Sequence, residues 1–371
     1  MLFILFNLYD FEKILEEIKI NQFNKIKTEV KNKLKNEYFI QIDTNDLNVI
    51  DSLKTIKDLK SYLYFLSSKY RIIDYNYILL LKREKEEKKK RYDNGIDEKT
   101  GKYIPNSPAL KNCYYFSHKF IPYLKPEYYE EKKNDVCIYN NNVFISSYEV
   151  NEELANIFIN LSESNIFYDT IVIDFIENPG GLLDVSNIII SILTGEKIII
   201  QNFFSRDTIF RISTLVVTNP PLKYKTLIFL SNKNSASASE YIMFKTYEIL
   251  KNQKDKKIKI INKDNKTIGK KTVQKVENIG ITKEYLLFLK DSLLRKNFLK
   301  FYYPFITDTT YLIDLFQKEL QEFIDLEFVY TIYVIIYYDP LNKEINEKIE
   351  NIEKNAKYVK EIITFLIYYK L

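Results

Sequence analysis

The sequence predicts an α/β fold, a core of alternating strands and helices preceded by a helical region. Three observations carry this. From residue 137 onward, short apolar runs of strand length alternate with segments of helical period, the pattern of strands joined by crossover helices. Residues 170–175 form a continuous apolar run, of the kind buried on both faces of a sheet. Small residues are scarce, and they gather at strand-to-helix junctions. The chain has 7 glycines, of which Gly180 and Gly181 are adjacent, and among its few alanines Ala236 and Ala238 are one residue apart. In a chain so rich in Asn, Lys, Ile and Tyr, a small residue marks a place where a larger one does not fit.

The elements follow in order. Asp10 is placed to cap a helix over 10–36, with Phe11, Ile14, Leu15 and Ile18, then Phe23, Ile26, Val30 and Leu34, at helical spacing. Residues 46–82 also read as helical. The run 83–91 mixes both charge signs and reads as a solvated helix end. Gly95, Gly101, Pro105, Pro108, Pro122 and Pro126 make 92–136 an irregular connection or hairpin. A strand over 143–148 precedes a helix capped by Asn151. The strand 170–175, a turn at 177–181 and a helix closed by Gly195 come next. Strands near 197–204, 211–218 and 226–230, a helix over 239–250, a strand over 257–261 and a turn at Gly269 complete the pattern. The expected organisation is an N-terminal helical cap (1–91), a connecting segment (92–136), the core (137–350) and a C-terminal helix (351–371).

Composition excludes several classes. With 46% hydrophobic and 28% charged residues the chain is globular rather than disordered. Its longest apolar stretches fall short of the roughly 18 residues of a membrane span. A net charge of +5 over 371 residues is too weak to argue for nucleic acid. Two cysteines, Cys113 and Cys137, are too few for a disulfide framework, and with the single His118 they give no metal-type spacing. No metal or cofactor is expected. No Gly-x-x-x-x-Gly-Lys-Ser/Thr loop is present, which sets nucleotide hydrolases aside. The start, residues 1–9, is apolar but has no basic leader or small-residue cleavage site, and reads as a strand or helix start.

Three short segments can carry chemistry. Asp174-Phe-Ile-Glu-Asn-Pro-Gly-Gly181 follows the buried strand, and its glycines leave amide N–H groups to face an anion or a developing oxyanion. Ser231-Asn-Lys-Asn-Ser-Ala-Ser-Ala-Ser-Glu240 enters a helix, where amides and the helix dipole favour negative charge. Thr267-Ile-Gly-Lys-Lys-Thr-Val-Gln274 puts a lysine after a glycine turn, with an amide four residues on. Burial would let that lysine be neutral and act as a base. Each also fits a plain structural role: a tight turn, a capping box between Ser237 and Glu240, and a lysine-rich turn.

Together and in this order, the three segments resemble the carboxy-terminal processing, or tail-specific, serine peptidases. Their patterns run roughly Asp-Leu-Arg-x-Asn-Pro-Gly-Gly, Gly-Ser-Ala-Ser-Ala-Ser-Glu and Gly-Lys-Gly-x-x-Gln. The likeness covers about 137–350, including Tyr338-Asp-Pro-Leu-Asn-Lys-Glu-Ile345, which is similar to the family's closing Asp-Pro segment and final helix. The resemblance implies a ClpP/crotonase-like core of ββα units and hydrolysis of a polypeptide substrate by a Ser–Lys dyad. It implies Ser237 as nucleophile, Lys270 as base, Gln274 as the group orienting Lys270, and an oxyanion hole from the amides of Ala238 and of Gly180 or Gly181. It also implies work outside the cytoplasm, although this start carries no clear signal peptide.

Departures are visible too. Lys271 stands where the family usually has glycine, and the register with Gly269 and Gln274 selects Lys270. The stretch between Ser237 and Lys270 is longer than usual. The 92–142 stretch, with two glycines, is too short and glycine-poor for a PDZ domain. A Ser–His branch of the superfamily would need a histidine upstream, for which His118 is the one choice. The rival readings are a weak or inactive homologue that binds peptides or partners, and a crotonase-type acyl-thioester enzyme on a similar core. Oligomeric state has no signature here.

Overall fold

The computed structural model describes residues 2–71, 78–82, 95–96, 103–104, 134–217, 220–288, 317–356 and 358–367. Cys113, His118 and most of the 92–136 connection lie outside them. The chain divides into two compact units.

The first unit contains residues 1–72, 76–85 and 273–333. Helix α1 (Leu2–Asn36) buries Leu15, Phe23, Ile26, Val30 and Leu34, an apolar stripe at helical spacing. The helix starts well before Asp10, so that residue is internal to it and not at its N-terminus. Helices α2 (Thr44–Ser52) and α3 (Ile56–Lys69) follow. Residues 46–82, expected to be helical, are therefore broken. Thr55 and Asp58 form a reciprocal capping box, each backbone N–H donating to the other side chain at 3.1 Å, and this restarts the helix at Ile56. The Ile-Leu-Leu-Leu run is strand β1 (Ile78–Lys82). It pairs antiparallel with the start of the late strand Leu326–Ile336, Ile78 facing Tyr330 and Lys82 facing Leu326. A short apolar run does not reveal by periodicity whether it is helix or strand, and here the pairing partner decides. Thr55→Ala should lower the stability to urea by about 1 kcal/mol, the usual worth of a helix cap; an unchanged denaturation midpoint would show that the box contributes nothing.

The second unit contains residues 73–75, 86–272 and 334–371. Two short strands, β2 (Gly95–Ile96) and β3 (Tyr103–Ile104), pair antiparallel, as a hairpin in the connecting stretch requires. Strands β4 (Asp135–Tyr139) and β5 (Asn142–Ser146) form a hairpin. Its two turn residues, Asn140 and Asn141, both have positive φ, the conformation a two-residue turn between twisted strands demands and asparagine tolerates. Helix α4 (Glu152–Glu163) is capped by Asn151, whose side chain accepts from Leu154 N–H at 3.1 Å. It returns the chain to β6 (Phe167–Asp174), parallel to β5. Helix α5 (Leu183–Thr194) leads to the antiparallel pair β7 (Ile198–Ser205) and β8 (Thr208–Val217). Strand β9 (Lys223–Ser231) rejoins beside β6 and in parallel with it. Helix α6 (Ala238–Leu250) and β10 (Lys257–Asn262), parallel to β9, complete the five-stranded sheet β10-β9-β6-β5-β4.

This is the α/β class that the alternating pattern predicts. Every residue from Ile171 to Phe175 is buried, as the unbroken apolar run requires. Strand β11 (Thr272–Asn278) and strand β12 (Leu326–Ile336) carry the chain between the units, and the end of β12 lies antiparallel to β7.

The C-terminal expectation is corrected. Helix α7 (Lys343–Asn355) ends before the last residues, and Tyr358–Ile367 is strand β13, parallel to β8 over its full length. The segment is rich in β-branched and aromatic residues, which suit a pleated surface better than a helix. Among the described residues no helix is long and apolar enough to cross a membrane.

Candidate active site

In open parallel sheets, the carboxyl ends of neighbouring strands are where ligand groups converge. Here β6 and β9 are neighbours. The turn after β6 leads through Asn178, Gly180 and Gly181 to α5, and the turn after β9 leads through Ser235 and Ser237 to α6.

The two turns are bonded together. Asn178 C=O accepts from Ala236 N–H at 2.9 Å, and Ser235 Oγ donates to Phe175 C=O at 2.8 Å. The Glu177 carboxylate accepts from the amides of Asn232 at 2.6 Å and Asn234 at 2.8 Å. Asn178, wholly buried, donates to Ser147 C=O and Ser147 Oγ, both at 2.8 Å. Ordinary loop residues thus become a rigid platform at the sheet end.

Of the three serines in Ser235-Ala-Ser-Ala-Ser239, the structure singles out Ser237. Ser235 and Ser239 are both 0% exposed, and their hydroxyls donate to backbone carbonyls, Ser239 to Ala236 at 2.8 Å. Ser237 is partly exposed. Its backbone has φ +61° and ψ −120°, a conformation that costs an L-residue of order 1–3 kcal/mol and persists only where the surroundings enforce it. It stands at the N-terminus of α6, with Ala238 N–H in the first turn.

Gly180 lies against this serine. A Cβ built there would sit 2.6 Å from Ser237 Cβ, 2.7 Å from Ala236 O and 2.8 Å from Ala238 N. The glycine also has φ +99°, so any side chain is doubly excluded. Its own N–H is occupied, donating to Asn178 Oδ1 at 2.7 Å. Gly181 is exposed, and Val150 brackets it, donating to Gly180 C=O at 2.9 Å and accepting from Leu182 N–H at 2.8 Å. Gly180→Ala should reduce any activity of the site by about a hundredfold, the scale of an ångström-sized misplacement, with the far-UV circular dichroism retained; full activity in that variant would detach the turn from the site.

Glu240 ties the serine to the lysine segment. The sequence shows it as a capping partner of Ser237, and it does accept Ser237 N–H, through Oε2 at 2.6 Å. The same oxygen accepts Lys270 N–H at 3.0 Å, and Oε1 accepts Gly269 N–H at 2.7 Å. One carboxylate therefore holds the backbones of Ser237, Gly269 and Lys270. This wider role is not legible in the sequence, because the capping-box pattern accounts for Glu240 fully. Glu240 is 0% exposed. Burial pushes its pKa up, opposed by the donors from Gly269 and Ser237.

Lys270 is half-buried, and burial lowers its pKa, with the charge of Glu240 opposing. That is the direction a lysine base needs. Lys271 is 0% exposed. Its ammonium donates to Tyr337 C=O and lies 3.9 Å from the Tyr337 ring centroid. Gln274 is half-buried on β11, in the first unit by chain division. Ser237, Ala238, Gly180, Gly181 and Lys270 all belong to the second unit. Among the described residues no cluster of His, Cys, Asp and Glu could hold a metal ion.

Residues 141–296 match the family model for peptidase family S41. The resemblance drawn from the motifs is thereby borne out, and the match supports a peptidase function. No curated protein matches the chain. Among solved structures, the photosystem II D1 C-terminal processing protease is 16% identical, with 56% of this chain and 40% of that one covered and a TM-score of 0.30. A lipoprotein from Streptococcus agalactiae is 9% identical, with 90% and 96% covered and a TM-score of 0.42. The chain thus spans well under half the length of the processing protease.

Proposed function

We propose that the protein is a serine endopeptidase that cleaves polypeptides with Ser237 as nucleophile and Lys270 as base. The observation that carries this reading is the single carboxylate of Glu240, which accepts the backbone N–H groups of both residues, at 2.6 and 3.0 Å, across a stretch of more than thirty residues. It brings a strained, accessible serine and a partly desolvated lysine to one place.

In the proposed reaction, neutral Lys270 takes the proton of Ser237 as Oγ attacks the scissile carbonyl carbon. The tetrahedral oxyanion is received by the amides of Ala238 and Gly181, since Gly180 N–H is engaged by Asn178. Collapse breaks the C–N bond, and Lys270 returns the proton to the departing amine. Water, with Lys270 again as base, then hydrolyses the acyl-serine.

The direct test is a fluorophosphonate probe followed by peptide mapping. The adduct is expected on the peptide that contains Ser237, and it should be lost in Ser237→Ala. Labelling confined to another residue, or none on folded protein that also fails to cut casein, would overturn the reading.

A further inference from the structure

We propose that Lys271 is a positioning residue of this site: a buried counter-charge that keeps Glu240 ionised and so keeps its clamp on Ser237, Gly269 and Lys270 closed. The proposal rests on the Ser237–Lys270 reading and names what sustains the geometry of that pair.

Among the described residues, four charged side chains are buried: Asp174, Glu240, Lys271 and Asp339. Lys271 is the one cation of the four. The charged and titratable groups that act on Glu240 are Lys270 and Lys271 on the segment after Gly269, and Tyr337 and Asp339 following β12. Asp339 adds a second negative charge, and its Oδ2 has no hydrogen-bond partner.

The clamp works only as an anion. Three N–H groups already converge on the two oxygens of Glu240. A proton on either oxygen would remove an acceptor and set O–H against N–H. An isolated carboxylate taken out of water picks up a proton instead of staying charged. Lys270 cannot prevent this, because it must be neutral when it accepts the proton of Ser237. Lys271 is free of that duty.

Its placement fits the role. The ammonium is held by Tyr337 C=O and the Tyr337 ring, and among the described residues it makes no direct ion pair. The oxygens of Glu240 are thereby left to the three amides, while the charge of Lys271 acts on Glu240 through space. The attraction is mutual: both Glu240 and Asp339 oppose the lowering of the Lys271 pKa by burial.

The test follows the backbone amide resonances of Ser237, Gly269 and Lys270 against pH in wild type, Lys271→Met and Lys271→Arg. The three amides should titrate together in the wild type. In Lys271→Met the shared midpoint should rise by about one pH unit, the scale for losing a nearby opposite charge, and the acid limb of activity should rise with it. Lys271→Arg should return both. A midpoint common to wild type and folded Lys271→Met overturns the proposal. Should Lys271→Met not fold, Glu240→Gln gives the reciprocal measurement, because coupling between two sites is equal in both directions. The midpoint of the Lys271 Cε resonance should then fall, and an unchanged midpoint overturns the proposal. The amide titration needs no turnover, so a failure of the dyad shows as absent hydrolysis and a failure of the clamp shows as an unmoved midpoint.

Discussion

Ser237→Ala should abolish hydrolysis and leave the protein folded. The hydroxyl stands at the start of a helix on a partly exposed residue, so its loss costs at most a cap, about 1 kcal/mol. Loss of a nucleophile costs several powers of ten in rate. The neighbouring serines should behave in the opposite way. Ser235 Oγ donates to Phe175 C=O and accepts from Asn232 N–H at 2.9 Å. Ser235→Ala therefore leaves buried groups unsatisfied, at about 1–3 kcal/mol, with the chemistry intact. Thermal denaturation and peptide cleavage on the same samples separate these effects. Activity lost in Ser235→Ala or Ser239→Ala but kept in Ser237→Ala would show that the nucleophile has been assigned to the wrong serine.

Lys270→Ala should be equally inactive, and Lys270→Arg as well, because arginine stays protonated and cannot take a proton from serine. A free lysine titrates near 10.4, about three units above neutrality. Burial moves Lys270 downward, so the neutral base becomes available at lower pH than in a free side chain. Since the neutral form is the active one, the rate should climb as pH rises and level off above the lowered pKa. Glu240 contributes in the same sense. Burial raises its pKa, and its clamp forms as the proton leaves. Both requirements favour the alkaline side. A rate profile that falls between pH 7 and 9, or a Lys270→Arg variant with substantial activity, would rule out a lysine base.

The sequence carries the core well and its borders less so. The run 170–175, the Asn151 cap and the alternation of strand and helix through 262 are local signals, and the structure follows them to within a residue or three. The misreadings arise where a distant partner decides. Ile78–Lys82 is a strand because it pairs with Leu326–Tyr330, nearly 250 residues away, and Tyr358–Ile367 is a strand because Thr208–Val217 receives it. In the site, the serine, the glycine turn and the lysine segment are marked by small residues whose role is steric, as the clash of a Gly180 Cβ with Ser237 makes plain. Lys271 and Asp339 carry no such mark. A buried charge has the same letter as a surface one, and only tertiary packing tells them apart.

The Glu240 clamp has a mechanical consequence. Between Ser237 and Gly269 the chain leaves the site along α6, crosses the lysine-rich stretch at 251–257, returns through β10 and re-enters beside the serine. Both ends of that excursion report to one carboxylate, so the distance between the backbones of Ser237 and Lys270 is set at the hub and not by the length of the detour. Ser237 and Lys270 are in effect insulated from their own connecting loop. Residues could be inserted at 252–256, where the chain is largely exposed, without the pair drifting apart, which makes that loop a natural place for length to vary.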